Sequence, residues 1–292
     1  MEKDKRDLLD DEFRVLGTGS PVPGLDPEGD RRIRRLGGYV ALAIVALLGL
    51  GMILFWPESG EPEEVEGVFE SLSAADSIGL LDTLATPPPC VVRVDSLVSG
   101  RPVRLFIPHR ATPRLLAGNL GDDDRKAVMT FQAADIRADN QEILGDFVEA
   151  GKQLASGSSK RGFCAIVDGK VTVGVSEHTP LLAEAVSRNG YFFRQYPLVD
   201  NGLPVSNKPQ NKTLRKALCD WNGQVFVAVS EEKLTLDEFA LLLADLGVSN
   251  AIYLVGSSFA YGWSVDKDGN REEFGSEDLR PFYRNQSYIL WE

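Results

Sequence analysis

The chain has 292 residues with 43% hydrophobic and 25% charged side chains, the balance of a folded protein with room for one sizeable domain and extra segments. A net charge of −12 argues against a nucleic-acid binder, and no Walker loop, dinucleotide-binding glycine motif or zinc-finger spacing is present. Two histidines (His109, His178) and three cysteines make a His/Cys metal site unexpected, and nothing in the chain calls for a cofactor.

Residues 1–36 mix charges with Gly and Pro and predict a disordered tail. Residues 37–56, GGYVALAIVALLGLGMILFW, form a twenty-residue run without a charge, long enough to cross a bilayer as a helix. Tyr39 and Trp56 lie near its ends, where amphipathic rings favour the interface. Arg31, Arg32, Arg34 and Arg35 precede it, and the next cation is Arg93. The positive-inside rule therefore keeps the N-terminus in the cytoplasm and exports the chain beyond Trp56. The expectation is a signal-anchored, single-pass protein of a bacterial inner membrane with its C-terminal domain in the periplasm. Residues 57–89 read as a linker, acidic and Pro/Gly-rich at first, and the folded domain is expected over 90–292.

CVVRVDSLV and RPVRLFIPH predict a hairpin about Ser99-Gly100, and GFCAIVDGKVTVGV predicts another about Asp168-Gly169. Between them, RKAVMTFQAADIRADN reads as a strand opening into a polar loop. Asp139 or Asn140 is placed to cap a helix over QEILGDFVEAG. TPLLAEAVSRNG predicts a short helix, with Thr179 as its cap.

Toward the C-terminus, QVFVAVS is a strand, and TLDEFALLLADLG carries Thr235 and Glu238 at capping-box spacing with Gly247 as terminator. Ala251–Gly256 is the next strand and SYILW the last. This strand–helix–strand unit predicts a parallel pair, and with the hairpins an α+β domain of mixed sheet and packed helices. Ligands of such units gather at the carboxyl ends of the strands, here Ser230–Lys233 and Gly256–Phe259.

Arg194, Lys208, Lys212, Arg215 and Lys216 concentrate positive charge in an acidic chain, which suits a phosphate or a solvated basic loop. Asp135, Arg137, Asp139 and Asn140 form a polar cluster open to acid–base work or to simple capping. Cys90, Cys164 and Cys219 would enter an oxidising compartment, where a Cys164–Cys219 disulfide is one option and a buried Cys164 thiol another.

From Phe131 to Trp263 the order of features resembles the phosphodiester glycosidase domain family. The matching parts are the DGK turn 168–170, Arg215 before a strand, the helix segment LTLDEFALLLADLGV and YLVGSS (253–258) where the family has LDGGGS. Val255 stands at the family's aspartate, Ser257 and Ser258 at two of its glycines, and ADIRADN replaces an Asn-Gly-Gly segment, with Asp135 its nearest match. The resemblance implies a ligand-binding set of Arg194, Arg215, Asn140, Gly256, Ser257 and Ser258, with Asp135 and Asp139 as acid or base. The implied partner is a sugar-1-phosphate diester or another envelope glycan. A valine can neither move a proton nor bind a hydroxyl. Three alternatives therefore stay open: an exported hydrolase, a catalytically silent glycan binder, or an envelope domain that binds protein.

Overall fold

The computed structural model describes residues 88–137, 139–257, 260–276 and 286–292. The expected tail, the 37–56 span and nearly all of the linker lie outside them. Among the described residues no helix is long and apolar enough to cross a membrane.

Seventeen strands, two α-helices and one 3-10 turn make up the described residues. The expected α+β class is corrected to a mostly-β fold of three sheets in which every paired strand is antiparallel to its neighbour. The first sheet orders as β1-β2-β13-β12-β14-β10-β11. Its members are β1 (Cys90–Val98), β2 (Arg101–His109), β10 (Pro197–Asp200), β11 (Leu203–Pro204), β12 (Lys216–Trp221), β13 (Gln224–Ser230) and β14 (Asn250–Leu254). The second orders as β16-β15-β4-β17-β3, from β3 (Pro113–Ala117), β4 (Met129–Gln132), β15 (Gly262–Val265), β16 (Arg271–Phe274) and β17 (Ser287–Trp291). The third, β6-β5-β9-β7-β8, contains β5 (Phe147–Glu149), β6 (Lys152–Ala155), β7 (Gly162–Val167), β8 (Lys170–Val175) and β9 (Tyr191–Gln195).

The hairpin turns form as their residues dictate. Ser99 and Gly100 (φ 50° and 77°) and Asp168 and Gly169 (φ 50° and 75°) occupy the left-handed region that a two-residue primed turn needs. Helix α1 (Leu181–Ser187) follows Thr179, whose hydroxyl accepts from the Leu181 amide at 3.3 Å. Helix α2 (Leu236–Asp245) opens on a complete capping box: Thr235 Oγ1 accepts from the Glu238 amide at 3.1 Å, and the Glu238 carboxylate accepts from the Thr235 amide at 2.8 Å.

Two sequence expectations are overturned, and the choice left open for Cys164 is decided. β13 and β14 run parallel but do not form the expected pair, because β12 lies between them and pairs antiparallel with both. The helix after Asp139 is absent: the Asn140 side chain accepts from the Glu142 amide at 3.0 Å, Ile136 bridges to Ile143, and β5 comes next. The Asn140 oxygen thus closes a local turn in place of a helix cap. The disulfide is absent too, since all three cysteines are free and buried. Cys164 faces the central core and Cys219 the opposite face of the first sheet.

The central core lies where the three sheets face one another, with Phe106, Leu218 and Ile252 from the first, Phe131 and Ile289 from the second, and Cys164 and Phe193 from the third. On the outer face of the first sheet α2 packs Phe239 and Leu243 against Leu198, Cys219 and Tyr253. Alternation along β12 therefore sends Leu218 inward and Ala217 and Cys219 toward the helix.

Candidate functional site

The turn after β14 is stitched to two other segments. The Val255 amide donates to the Gln132 carbonyl at 3.2 Å, at the end of β4, and the Ser257 amide donates to the Leu214 carbonyl at 2.9 Å, just before β12. These bonds bring together the three segments marked by the sequence: 132–135, 214–216 and 255–257. Gly256 fits because no side chain does, since a Cβ there would meet the Leu214 carbonyl oxygen at 2.5 Å and the Tyr253 hydroxyl at 2.7 Å. Ser257 has a left-handed backbone at φ 69°, a conformation suited to glycine. Ser258 lies outside the described residues.

Arg215 and Lys216 are chain neighbours, and strand alternation points them to opposite faces. Arg215 is buried on the α2 face, where Nε donates to the Leu234 carbonyl at 2.8 Å and Nη1 to the Tyr253 hydroxyl at 3.4 Å; Nη2 also donates to the Asn211 carbonyl. The same Tyr253 hydroxyl accepts from the Gly256 amide at 2.9 Å, so Arg215 and the turn share one phenol. This guanidinium braces the turn from behind.

Lys216 faces the central core. It is buried, its ammonium donates to the Ala260 carbonyl at 2.8 Å, and it lies 5.7 Å from the ring centroids of both Phe131 and Phe274. Burial pushes its pKa down to about 7.

Asp135 is buried and paired with Lys160, whose ammonium also donates to Gln195 Oε1 at 3.0 Å and lies 4.2 Å from the Tyr196 ring centroid. Gln195 in turn donates to the Ala133 carbonyl at 3.3 Å. Arg194 is held separately: Nε donates to Asp146 at 2.6 Å, Nη1 to the Ser176 carbonyl and Nη2 to the Glu177 carbonyl, both at 2.8 Å. It lines a concavity of about 350 Å³ with Asp146, His178 and Thr179. Two buried ion pairs, Asp135–Lys160 and Asp146–Arg194, thus close the two ends of the 135–146 segment.

Asp139 and Asn140 sit at the exposed tip of that segment. Asp139 forms a two-pronged pair with Arg137 at 3.1 Å, and that contact holds its carboxyl below the usual range. The structure therefore brings Asp135, Arg215, Gly256 and Ser257 into one neighbourhood, ties Arg194 to Asp146, and leaves Asp139 and Asn140 at the surface. Sequence reasoning misses Lys160, Gln195 and Tyr253 in this neighbourhood, and it counts Lys216 in the basic stretch without its inward direction. For Lys216 a signal exists: two positions before Leu218 on a strand, it must share the core face.

Among the described residues no cluster of His, Cys, Asp or Glu could hold a metal ion.

No curated protein matches the chain. Among solved structures it is similar to the zebrafish N-acetylglucosamine-1-phosphodiester α-N-acetylglucosaminidase catalytic domain auto-inhibited by its pro-peptide, at 14% identity and TM-score 0.48, covering 71% of this chain and 83% of that one. It is similar also to a hypothetical protein from Synechocystis, at 14% identity and TM-score 0.47, covering 70% of this chain and 64% of that one. The model of the phosphodiester glycosidase family matches residues 125–281, more than half of the sequence and all of the neighbourhood around the β14 turn. The chain belongs to the phosphodiester glycosidase family.

Proposed function

We propose that this protein is a glycosidase-like component of a bacterial cell envelope. Its domain is held in the periplasm by the 37–56 span and takes up a sugar-1-phosphate diester at the turn after β14. The observation that carries the reading is charge. In a chain of net charge −12, the described segments around this turn bury Lys160, which is paired with Asp135, together with Arg215 and Lys216, which donate to backbone carbonyls. Basic side chains gathered in an otherwise acidic chain favour a phosphate.

Binding is the better supported half of the function. Val255 holds the family acid's position, and Asp135 already serves Lys160. Asp135 is nonetheless the buried carboxylate of this neighbourhood, and any hydrolysis would draw on it as acid or base.

The test uses the full chain in detergent micelles with a panel of sugar-1-phosphate methyl diesters, measuring heat of binding and released reducing sugar. Binding without release identifies a glycan-binding protein, and release above the uncatalysed rate identifies a hydrolase. Absence of both would remove the sugar phosphodiester from consideration and favour a domain that binds protein.

A further inference from the structure

Among the described residues, the buried cations are satisfied in different ways. Lys160 has Asp135 and Arg194 has Asp146, each a direct ion pair in the interior. Arg215 spreads its charge over the Leu234 and Asn211 carbonyls. Lys216, only 3% exposed, has one carbonyl partner and, among the described residues, no carboxylate.

Among the described residues, the groups around it offer no compensation. Its cross-strand neighbours are Val229 on β13 and Leu254 on β14, and it packs against Phe131 on β4, Phe274 on β16 and the Ala260 carbonyl in the turn. None of these carries an ionisable side chain. Two ring faces at 5.7 Å are at the outer limit of a cation–π contact. An ammonium has three N–H donors, and a buried unpaired one is costly enough that it sheds its proton or acquires an anion. The depressed pKa of Lys216 reports the first outcome in the free protein.

The position suggests the second. Lys216 is paired in register with Leu254, the last residue of β14, and its carbonyl partner Ala260 belongs to the turn that follows. Phe274, half-buried, is the outer of the two rings over the ammonium, and Phe131 is the buried one.

We propose that Lys216 is the receptor for the anionic group of the ligand: it takes a proton as the phosphate arrives, so that the site requires an anion and does not accept a neutral sugar. This rests on the proposed sugar phosphodiester ligand and adds the residue that recognises its charge. The amine gains one proton from buffer and the anion gains a charged donor. No covalent bond changes.

The experiment is calorimetry on the full chain in micelles at about pH 8, in two buffers of different ionisation enthalpy. The probes are a sugar-1-phosphate methyl diester, the neutral methyl glycoside of the same sugar, and inorganic phosphate. At that pH the free amine, titrating near 7, is mostly neutral, so binding should take up close to one proton. Lys216→Met keeps the length and suits the two rings. It should abolish proton uptake and weaken the diester at least tenfold, with the melting transition retained.

A diester that binds Lys216→Met as tightly as wild type, with unchanged proton uptake, would overturn the assignment and leave the phosphodiester reading standing. Phosphate bound with Lys216-dependent proton uptake while the diester is ignored would keep the anion site and sink the phosphodiester reading. Equal affinity for the neutral glycoside would overturn the anion requirement, and a wild-type chain that binds none of the three would overturn both.

Discussion

Asp135 and Lys160 meet in the interior as an ion pair, although twenty-five residues separate them in the chain. Their side chains are 8% and 4% exposed, so each is the other's substitute for water. Gln195 and Tyr196 at the end of β9 complete the shell around the ammonium. The pair fixes the 132–135 segment against β9, and the amide of Val255 then hangs from that same segment at Gln132. Breaking it from one side leaves a buried charge without a partner. Lys160→Met should therefore cost about 3–5 kcal/mol in urea unfolding, and Asp135→Leu combined with Lys160→Met should recover much of that loss. A single variant as stable as wild type would mean that water reaches Asp135.

Ser257 offers the opposite sign. Its φ of 69° lies in the left-handed region, where a side chain with a Cβ is penalised by about 1 kcal/mol. Ser257→Gly restores the residue type suited to that backbone, and the expected result is a gain of up to about 1 kcal/mol, reduced by the greater entropy of glycine in the unfolded chain. The melting temperature reads it. A clear loss of stability would show that the serine hydroxyl holds the turn more strongly than its backbone strains it.

The turns and caps could be read from the sequence because each is decided within a few residues. Asp168-Gly169 and Ser99-Gly100 sit at left-handed positions, and Thr235 and Glu238 satisfy each other across one helical turn. What could not be read is decided by distant partners. Nothing local in QVFVAVS or NAIYL says that β12 will slip between them, so two parallel strands were expected to pair directly. The 139–149 segment obeyed a different local rule, since Asn140 can cap a helix or close a turn and Gly145, at φ 85°, favours leaving the helix. Lys160, in SGSSKRG, has the look of a surface loop cation, and only the fold brings Asp135 to it. The family pattern marked Arg215 and the turn after Tyr253, which the fold brings together, and it carried no sign of the partners that neutralise or brace those residues.

Gly256 permits no alternative residue without displacing the turn. A methyl group there would lie 2.5 Å from the Leu214 carbonyl oxygen, a backbone atom held by the Ser257 amide. Gly256→Ala should weaken ligand binding at least tenfold, with a destabilisation of about 1–3 kcal/mol from the overpacked contact. Calorimetry and a thermal melt separate the two effects. Unaltered binding by a folded variant would place the ligand away from this turn.

The start of α2 gives an acid-sensitive contact. Lys212 at 2.7 Å, and then the Thr235 amide, draw the Glu238 carboxyl down to about pKa 2 from an ordinary 4.5. Because the folded pKa is the lower one, this contribution is complete above about pH 4.5 and fades as the pH falls through 2. Thr235→Ala should cost about 1 kcal/mol at neutral pH through the lost cap. Glu238→Gln should flatten the loss of stability between those pH values, and an acid limb identical to wild type would mean that the carboxylate contributes nothing there.

Lys216 predicts a pH dependence of the opposite limb. In the folded chain its pKa is lowered to about 7, against 10.5 when free of burial. Between those values the unfolded chain holds a proton that the folded chain has released. Stability from this group therefore rises with pH across that window and is flat below it. Lys216→Met removes the buried amine, so the variant should exceed wild type in urea midpoint at about pH 7, and the gap should close as the pH approaches about 10. Using the difference between the two proteins cancels every other titrating group they share. A gap that stays constant across that range would show that Lys216 keeps its proton in the folded state, which requires a counter-charge that the described residues facing it do not supply.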